Sequence, residues 1–242
     1  KPLCMLSQGM ARQFSFGSAA LTFRRDAKEH AEEKEKLIMQ GLKEIVMHEV
    51  GHTLGLRHNF KGSRLLKLSE INSEEKENAA MVASVMDYNA TNIVPKEWHQ
   101  GDYFTTTIGP YDYWAIEYGY KPISGSEEKE LQKIAARSGE PGLAFATDED
   151  TLSIDPDPDS NTYDLGDDPL EYAKTRAEVV KEVMPGLVDR TTDDGEDYTQ
   201  VRRAFNILLA EHGQAMYYAS RLIGGLRTSR SHKGDKDAKP PI

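Results

Sequence analysis

The stretch His48-Glu49-Val50-Gly51-His52-Thr53-Leu54-Gly55-Leu56-Arg57-His58 places three imidazoles and a carboxylate at spacings that suit one metal ion. On a helix, His48 and His52 stand four residues apart. They share a face about 6 Å apart along the axis, so both can close on the same ion. Glu49 leaves that helix about 100° round from His48, beside the ion and not on it. A carboxylate in that place can take a proton from a water held there. Gly55 suits the helix end, because glycine enters the left-handed conformation at C′ without steric cost. The reversed chain can then return His58 as a third nitrogen. Three neutral ligands leave a fourth tetrahedral position open, the arrangement of a catalytic zinc and not of a closed structural one.

The whole pattern, H-E-x-x-H-x-x-G-x-x-H, resembles the signature of the metzincins, a clan of zinc endopeptidases. Two later segments extend the resemblance. Ser84-Val85-Met86-Asp87-Tyr88 is similar to the Met-turn that lies under the metal in that clan, which makes Met86 the methionine beneath the imidazoles. In astacin-like and serralysin-like members, a tyrosine two positions after that methionine can reach the metal. Tyr88 stands at that position. Gly109 to Gly119 resembles the helix that closes the lower subdomain, with Pro110 at its first position and Gly119 at its stop. Among clan members the bacterial met-zincins resemble the chain most, sharing a Gly-Asp-Tyr-Phe-Thr segment like residues 101–105. The resemblance covers residues 40–120. It implies a peptide or protein substrate, a zinc cofactor and an extracytoplasmic setting.

Composition sets the bounds. The chain has 242 residues, enough for one good core or a small domain with an appendage. Charged residues make up 29% and apolar ones 38%, and no apolar run approaches the roughly 20 residues that span a bilayer. A net charge of −10 argues against nucleic acid as partner. The single cysteine, Cys4, excludes an intrachain disulfide. A cysteine can block the metal in some metzincin proenzymes, but Cys4 lacks that motif's surroundings and reads as an inert thiol. The opening residues carry no signal peptide. Only 47 residues precede His48, where the resemblance implies a β-sheet and a long helix, so the chain reads as a fragment lacking most of the upper subdomain.

The expected fold is mainly α, with α+β as the upper limit of sheet content: a metzincin-like lower subdomain around a central zinc helix, then a helical C-terminal extension. Residues 1–122 form the zinc catalytic region, 123–228 the extension and 229–242 a disordered tail. Residues 12–24 alternate apolar side chains and read as the one extended segment. Asp26 to Lys36 reads as a solvated helical lead-in, and Gly41 as a break or a close packing point. Leu42, Val46, Val50 and Leu54 lie opposite the histidines, which predicts a zinc helix running through the middle of the domain. Beyond Lys121, helices are expected from Ser126 to Arg137, from the Asp168-Pro169 start to Val183, and from Glu196 to Ile223, with His212 on the core side of the last.

Between them lies an acidic loop in which Asp155, Asp157 and Asp159 space oxygens like the first half of an EF-hand. Ser160 replaces the central glycine and Gly166 the final glutamate, so a calcium site and a solvated acidic loop both stand as readings. For the whole chain the principal reading is a zinc endopeptidase with Glu49 as general base. The alternatives are a zinc-holding interaction module, inactive without its upstream sheet, and a helical scaffold without metal.

Overall fold

A computed structural model describes residues 4–24, 27–76, 79–151, 156–230 and 232. Among them the chain is mainly helical and holds no β-strand. The first helix, α1, spans Leu6–Arg24, so the segment 12–24 is not extended. Its aromatic alternation is real but secondary. Leu6, Met10, Gln13, Phe16 and Ala20 recur three or four residues apart, all are buried, and that helical period prevails.

The second helix, α2, runs unbroken through Ala27–Thr53 and carries the first two histidines. Gly41 is a packing point inside it, where a Cβ would come within 2.4 Å of the Phe14 ring on α1. The face α2 buries is not the expected one. Leu37, Gln40, Gly41, Glu44, His48 and Gly51 point inward, whereas Leu42, Val46 and Val50 are 48%, 60% and 49% exposed. Polar side chains win the inside because each has a partner there. Gln40 donates to Asp102 at 2.6 Å and accepts from the Tyr103 amide at 2.7 Å, while Glu44 accepts from Asn89 at 2.8 Å. The helix therefore borders the core, with an apolar stripe facing out.

Those partners belong to a long irregular stretch. Residues 81–95 have no regular secondary structure, yet every one is buried. Buried backbone without a helix or sheet must find its hydrogen bonds elsewhere. Here a side-chain amide and distant backbone both supply them: Gln13 accepts from the Thr91 amide at 2.8 Å, and the Asn92 backbone amide donates to the Tyr103 carbonyl at 2.8 Å. The short helix α3, Leu68–Ile71, packs its two apolar residues against Met81, Val82 and Ala90.

Helices α4 (Pro110–Tyr120) and α5 (Glu127–Ala135) follow. Next come α6 (Pro169–Val183), the short α7 (Leu187–Thr191) and α8 (Thr199–Arg221). Asp168 caps α6 by accepting from the Leu170 amide at 2.8 Å, with Pro169 at the first helical position. Helices α6 and α8 pack on each other and on α1, burying Val179, Val180, Val183 and Leu208 beside Phe16 and Leu21. Each such side chain stabilises the fold by about 1.5–3 kcal/mol. In α8 the buried positions are Leu208, Glu211, Ala215 and Tyr218, which leaves His212 on the surface and corrects its expected place in the core. Arg176 of α6 is fully buried and donates to the Thr91 carbonyl at 2.7 Å. Its guanidinium lies over the Phe16 ring, 4.4 Å from the centroid. One charge thus ties α6 to α1 and to the irregular stretch.

Between Asp157 and Gly166 the acidic loop holds no exposed residue. Asp157, Ser160, Asn161 and Asp164 are buried. Lys61 pairs with Asp157 at 2.8 Å, and Arg64 and Arg227 pair with Asp159 at 3.3 and 3.0 Å. Protein cations already occupy those carboxylates, so calcium has no support there; Asp155 lies outside the described residues. Of the expected tail, residues 231 and 233–242 also lie outside them. Arg230 is anchored on Asp150 at 2.6 Å.

Candidate metal centre

Where α2 ends, the chain turns as the glycine requires. Gly55 has φ 86°, and the Gly55 amide donates to the His52 carbonyl while the Leu56 amide donates to that of Gly51. These two bonds form a Schellman cap, which reverses the backbone and sends His58 back toward the helix. The three imidazoles converge. His48 Nε2 lies 3.1 Å from His52 Nε2, and the His52 and His58 ring centroids are 4.8 Å apart.

Each ring is held by its other nitrogen. His48 Nδ1 donates to the Val85 carbonyl at 2.7 Å and His52 Nδ1 to the Leu56 carbonyl at 3.1 Å. His58 Nδ1 lies 2.7 Å from the Asp148 carboxylate. A carbonyl oxygen can only accept, so His48 and His52 carry their proton on Nδ1 and present bare Nε2 lone pairs to each other. Two lone pairs at that distance repel unless a cation lies between them. The separation is close to the roughly 3.3 Å edge of a tetrahedron with zinc–nitrogen bonds of about 2.0–2.1 Å. Burial, with the two neighbouring imidazoles adding to it, lowers the His48 pKa to about 4 and keeps the ring in the neutral form that binds metal. The donor set fits zinc.

Met86 lies fully buried under α2. A Cβ on Gly51 would come within 2.3 Å of the Met86 sulfur, so helix and turn meet in direct contact beneath the histidines. The turn itself is pinned by Asp112 in the first turn of α4, which accepts from the Val85 amide at 2.9 Å, the Gly109 amide at 2.9 Å and the Ser84 hydroxyl at 2.6 Å. Asp87 faces away from the cluster, accepting from the Ser63 and Tyr88 amides at 2.9 and 2.7 Å. Its burial and the nearby Asp164 raise its pKa well above the ordinary carboxylate range. Tyr88 points inward, with its hydroxyl 3.2 Å from His58 Nε2 and its phenol pKa raised chiefly by burial. Glu49 stays exposed on the helix flank.

Asp148, Asn59 and Cys4 were not legible as parts of this site. Asn59 bonds the 144–146 backbone, donating to the Ala144 carbonyl at 3.0 Å and accepting from the Ala146 amide at 3.2 Å. That strap delivers Asp148 to His58. No local motif marks it, because the partners lie ninety residues apart. Cys4 is not an isolated thiol: its sulfur lies 3.6 Å from His48 Nε2 and 3.7 Å from the Glu49 carboxylate.

A family model described as Met-zincin matches residues 30–242. The chain belongs to the Met-zincin family. No curated protein and no solved structure matches it. Within the matched segment lie the three histidines, Glu49, Met86, Tyr88 and Asp148, so the Met-zincin core as described contains both the nitrogen cluster and the groups that orient it. No helix among the described residues is long and apolar enough to cross a membrane.

Proposed function

We propose that this chain is the metal-bearing part of a zinc endopeptidase that hydrolyses peptide bonds outside the cytoplasm. His48, His52 and His58 hold the metal, and Gly55 and Met86 set its frame. The single observation that carries this reading is the set of three imidazoles whose Nδ1 atoms are all engaged and whose Nε2 atoms face one another. When bound, zinc supplies Lewis acidity, polarising a carbonyl and making a nearby water acidic.

The chain's own groups do the rest. Glu49 accepts a proton from the attacking water as its oxygen bonds to the scissile carbon, then passes that proton to the amine as the C–N bond breaks. Tyr88 keeps its proton, since burial raises its pKa, and donates a hydrogen bond to the oxygen on which negative charge develops. Asp148 and the Val85 and Leu56 carbonyls fix ring orientation, the role of partners behind metal ligands. Residues 1–122 form the catalytic region and 123–228 its buttress, with Asp148 crossing from one to the other.

The test is to measure zinc content and hydrolysis of an unfolded protein together. Replacement of any of the three histidines by alanine should remove most of the metal. Glu49→Gln should retain the metal while hydrolysis falls at least about a hundredfold. Tyr88→Phe should retain the metal and lose rate. Stoichiometric zinc in His58→Ala would rule out the three-histidine centre. Zinc bound with no hydrolysis, even by an extended protein, would favour the non-catalytic zinc-holding module.

A further inference from the structure

Four donor atoms, not three, face the centre of the cluster. Cys4 Sγ, His48, His52 and His58 each present a ligand atom, all within 4.8 Å of one another. We propose that Cys4 is the fourth ligand of the metal, and that the segment Cys4–Met5 is a latch that holds the centre closed. This rests on the reading of the histidines as a metal centre.

Three observations converge on it. The first is the sulfur's distance. Cys4 Sγ lies 3.6 Å from His48 Nε2, and zinc–sulfur and zinc–nitrogen bonds of about 2.3 and 2.0–2.1 Å at the tetrahedral angle imply an edge of roughly 3.6 Å. The second is what else the segment covers. Tyr88 donates its hydroxyl to the sulfur at 3.5 Å and accepts from the Met5 amide at 2.9 Å, and the sulfur sits 3.7 Å from the Glu49 carboxylate, blocking it with or without its proton. Both groups proposed to handle protons and the oxyanion are therefore already engaged. The third is how firmly the segment is held. Leu6 opens α1 and is fully buried, Tyr163 donates its hydroxyl to the Leu6 carbonyl at 3.4 Å, and the same phenol rests where a Cβ on Gly9 would be. Tyr163 adopts φ 63°, a left-handed conformation that costs a tyrosine energy and is retained where its ring locks α1 against Tyr88.

A set of three histidines and one cysteine fills all four tetrahedral positions, which is the closed form. On closure the thiolate would take the fourth position in place of a metal-bound water, and the thiol proton and the water would go to solvent. Opening reverses this: the sulfur leaves the metal, takes a proton back and swings out with residues 4 and 5, freeing Glu49, Tyr88 and the fourth position. Cys4 lies ahead of the segment that the Met-zincin model matches, so the latch, which immediately precedes α1, lies outside the matched core.

The chain has one cysteine, so thiol readouts are unambiguous. Cobalt(II) titration of the full chain should give a near-ultraviolet thiolate-to-cobalt charge-transfer band saturating at one equivalent. Cys4→Ser should take up the same equivalent without the band. In the parent, labelling of Cys4 by an aromatic disulfide should slow at least about tenfold when zinc is added to the metal-free protein. Acetohydroxamate should bind zinc-loaded Cys4→Ser at least about tenfold more tightly than the zinc-loaded parent, since the fourth position is then free. Cobalt bound without the band, or labelling indifferent to zinc, overturns Cys4 as ligand while leaving the histidine centre standing. Equal hydroxamate affinities overturn the latch. No cobalt uptake by the parent overturns both the latch and the metal centre.

Discussion

His58 Nδ1 and the Asp148 carboxylate meet at 2.7 Å across ninety residues of chain, and this contact joins the third imidazole to the segment that follows α5. Outer partners of metal-binding histidines fix the ring and raise its basicity, and their loss typically costs 10–100-fold in metal affinity. Asp148→Ala should weaken zinc binding by about that factor, measured by competition with a chelating dye. Asp148→Asn should cost less, because its amide oxygen still accepts from Nδ1. Glu149→Ala is the control: Glu149 bonds Arg57 at 2.7 Å on the surface and should leave affinity unchanged.

Gly51 is the second such dependency. Alanine is favoured over glycine in a helix by about 1 kcal/mol, so Gly51→Ala on an exposed face would stabilise the protein. Here the new methyl would meet the Met86 sulfur at 2.3 Å inside a fully buried contact. Overpacking of that kind costs about 1–3 kcal/mol, which outweighs the propensity gain. The variant should melt at a lower temperature and bind zinc more weakly, because the shift is taken up directly under His48. A melting temperature raised above the parent's would show that Met86 moves aside freely.

What the sequence made legible was local. The spacing of His48, His52, Gly55 and His58 encodes a helix, a cap and a return, and the structure brings the three rings together through those devices. The start of α6 was equally readable, because Asp168 and Pro169 act within one turn. What escaped was relational. The inward face of α2 is chosen by Asp102, Asn89 and Tyr103, residues of an irregular stretch whose course no periodicity announces. An apolar stripe was therefore assigned to the core when polar partners had claimed that side. The helix α1 was missed because Phe14, Phe16, Leu21 and Phe23 mimic a strand once the residues before position 12 are set aside. Cys4 looked inert because its neighbours in sequence carry no motif. Its neighbours in space are three histidines.

Glu44 gives a pH dependence with a definite sign. It is fully buried, and that burial outweighs the hydrogen bond from Asn89 and raises its pKa from 4.5 to about 7. Between those values the folded protein keeps a proton that the unfolded chain has released, so stability falls as pH rises. The loss begins near pH 4.5, is complete once the folded carboxyl ionises near 7, and is on the order of 3 kcal/mol. Asp87, Asp112 and Asp164 are raised as well and act in the same direction, so the comparison must isolate Glu44. Urea unfolding of the parent and of Glu44→Gln, under one metal load from pH 4 to 9, should give a difference that grows in the variant's favour across this window and then levels off. A flat difference would mean that Glu44 ionises as an ordinary carboxylate.

The outward stripe of α2 bears on activity. Met39, Leu42, Val46 and Val50 are between 48% and 60% exposed and follow one another at helical spacing up to the residue after Glu49. Extended substrates are commonly held by main-chain pairing to a sheet edge, which positions the scissile carbonyl. Among the described residues there is no strand to provide such an edge. We propose that a β-sheet from the same protein, outside residues 1–242, covers this stripe and completes the cleft, as the metzincin resemblance implies. The zinc-loaded chain alone should then be a poor peptidase even as Cys4→Ser. A longer protein that includes the sheet should hydrolyse an unfolded substrate at least about a hundredfold faster, the scale of what positioning contributes. Val46→Lys, at 60% exposure, should leave the melting temperature of the short chain nearly unchanged and lower activity in the long one. Equal rates for short and long proteins, or a Val46→Lys change felt equally by both, would show that residues 1–242 already supply the substrate-binding surface.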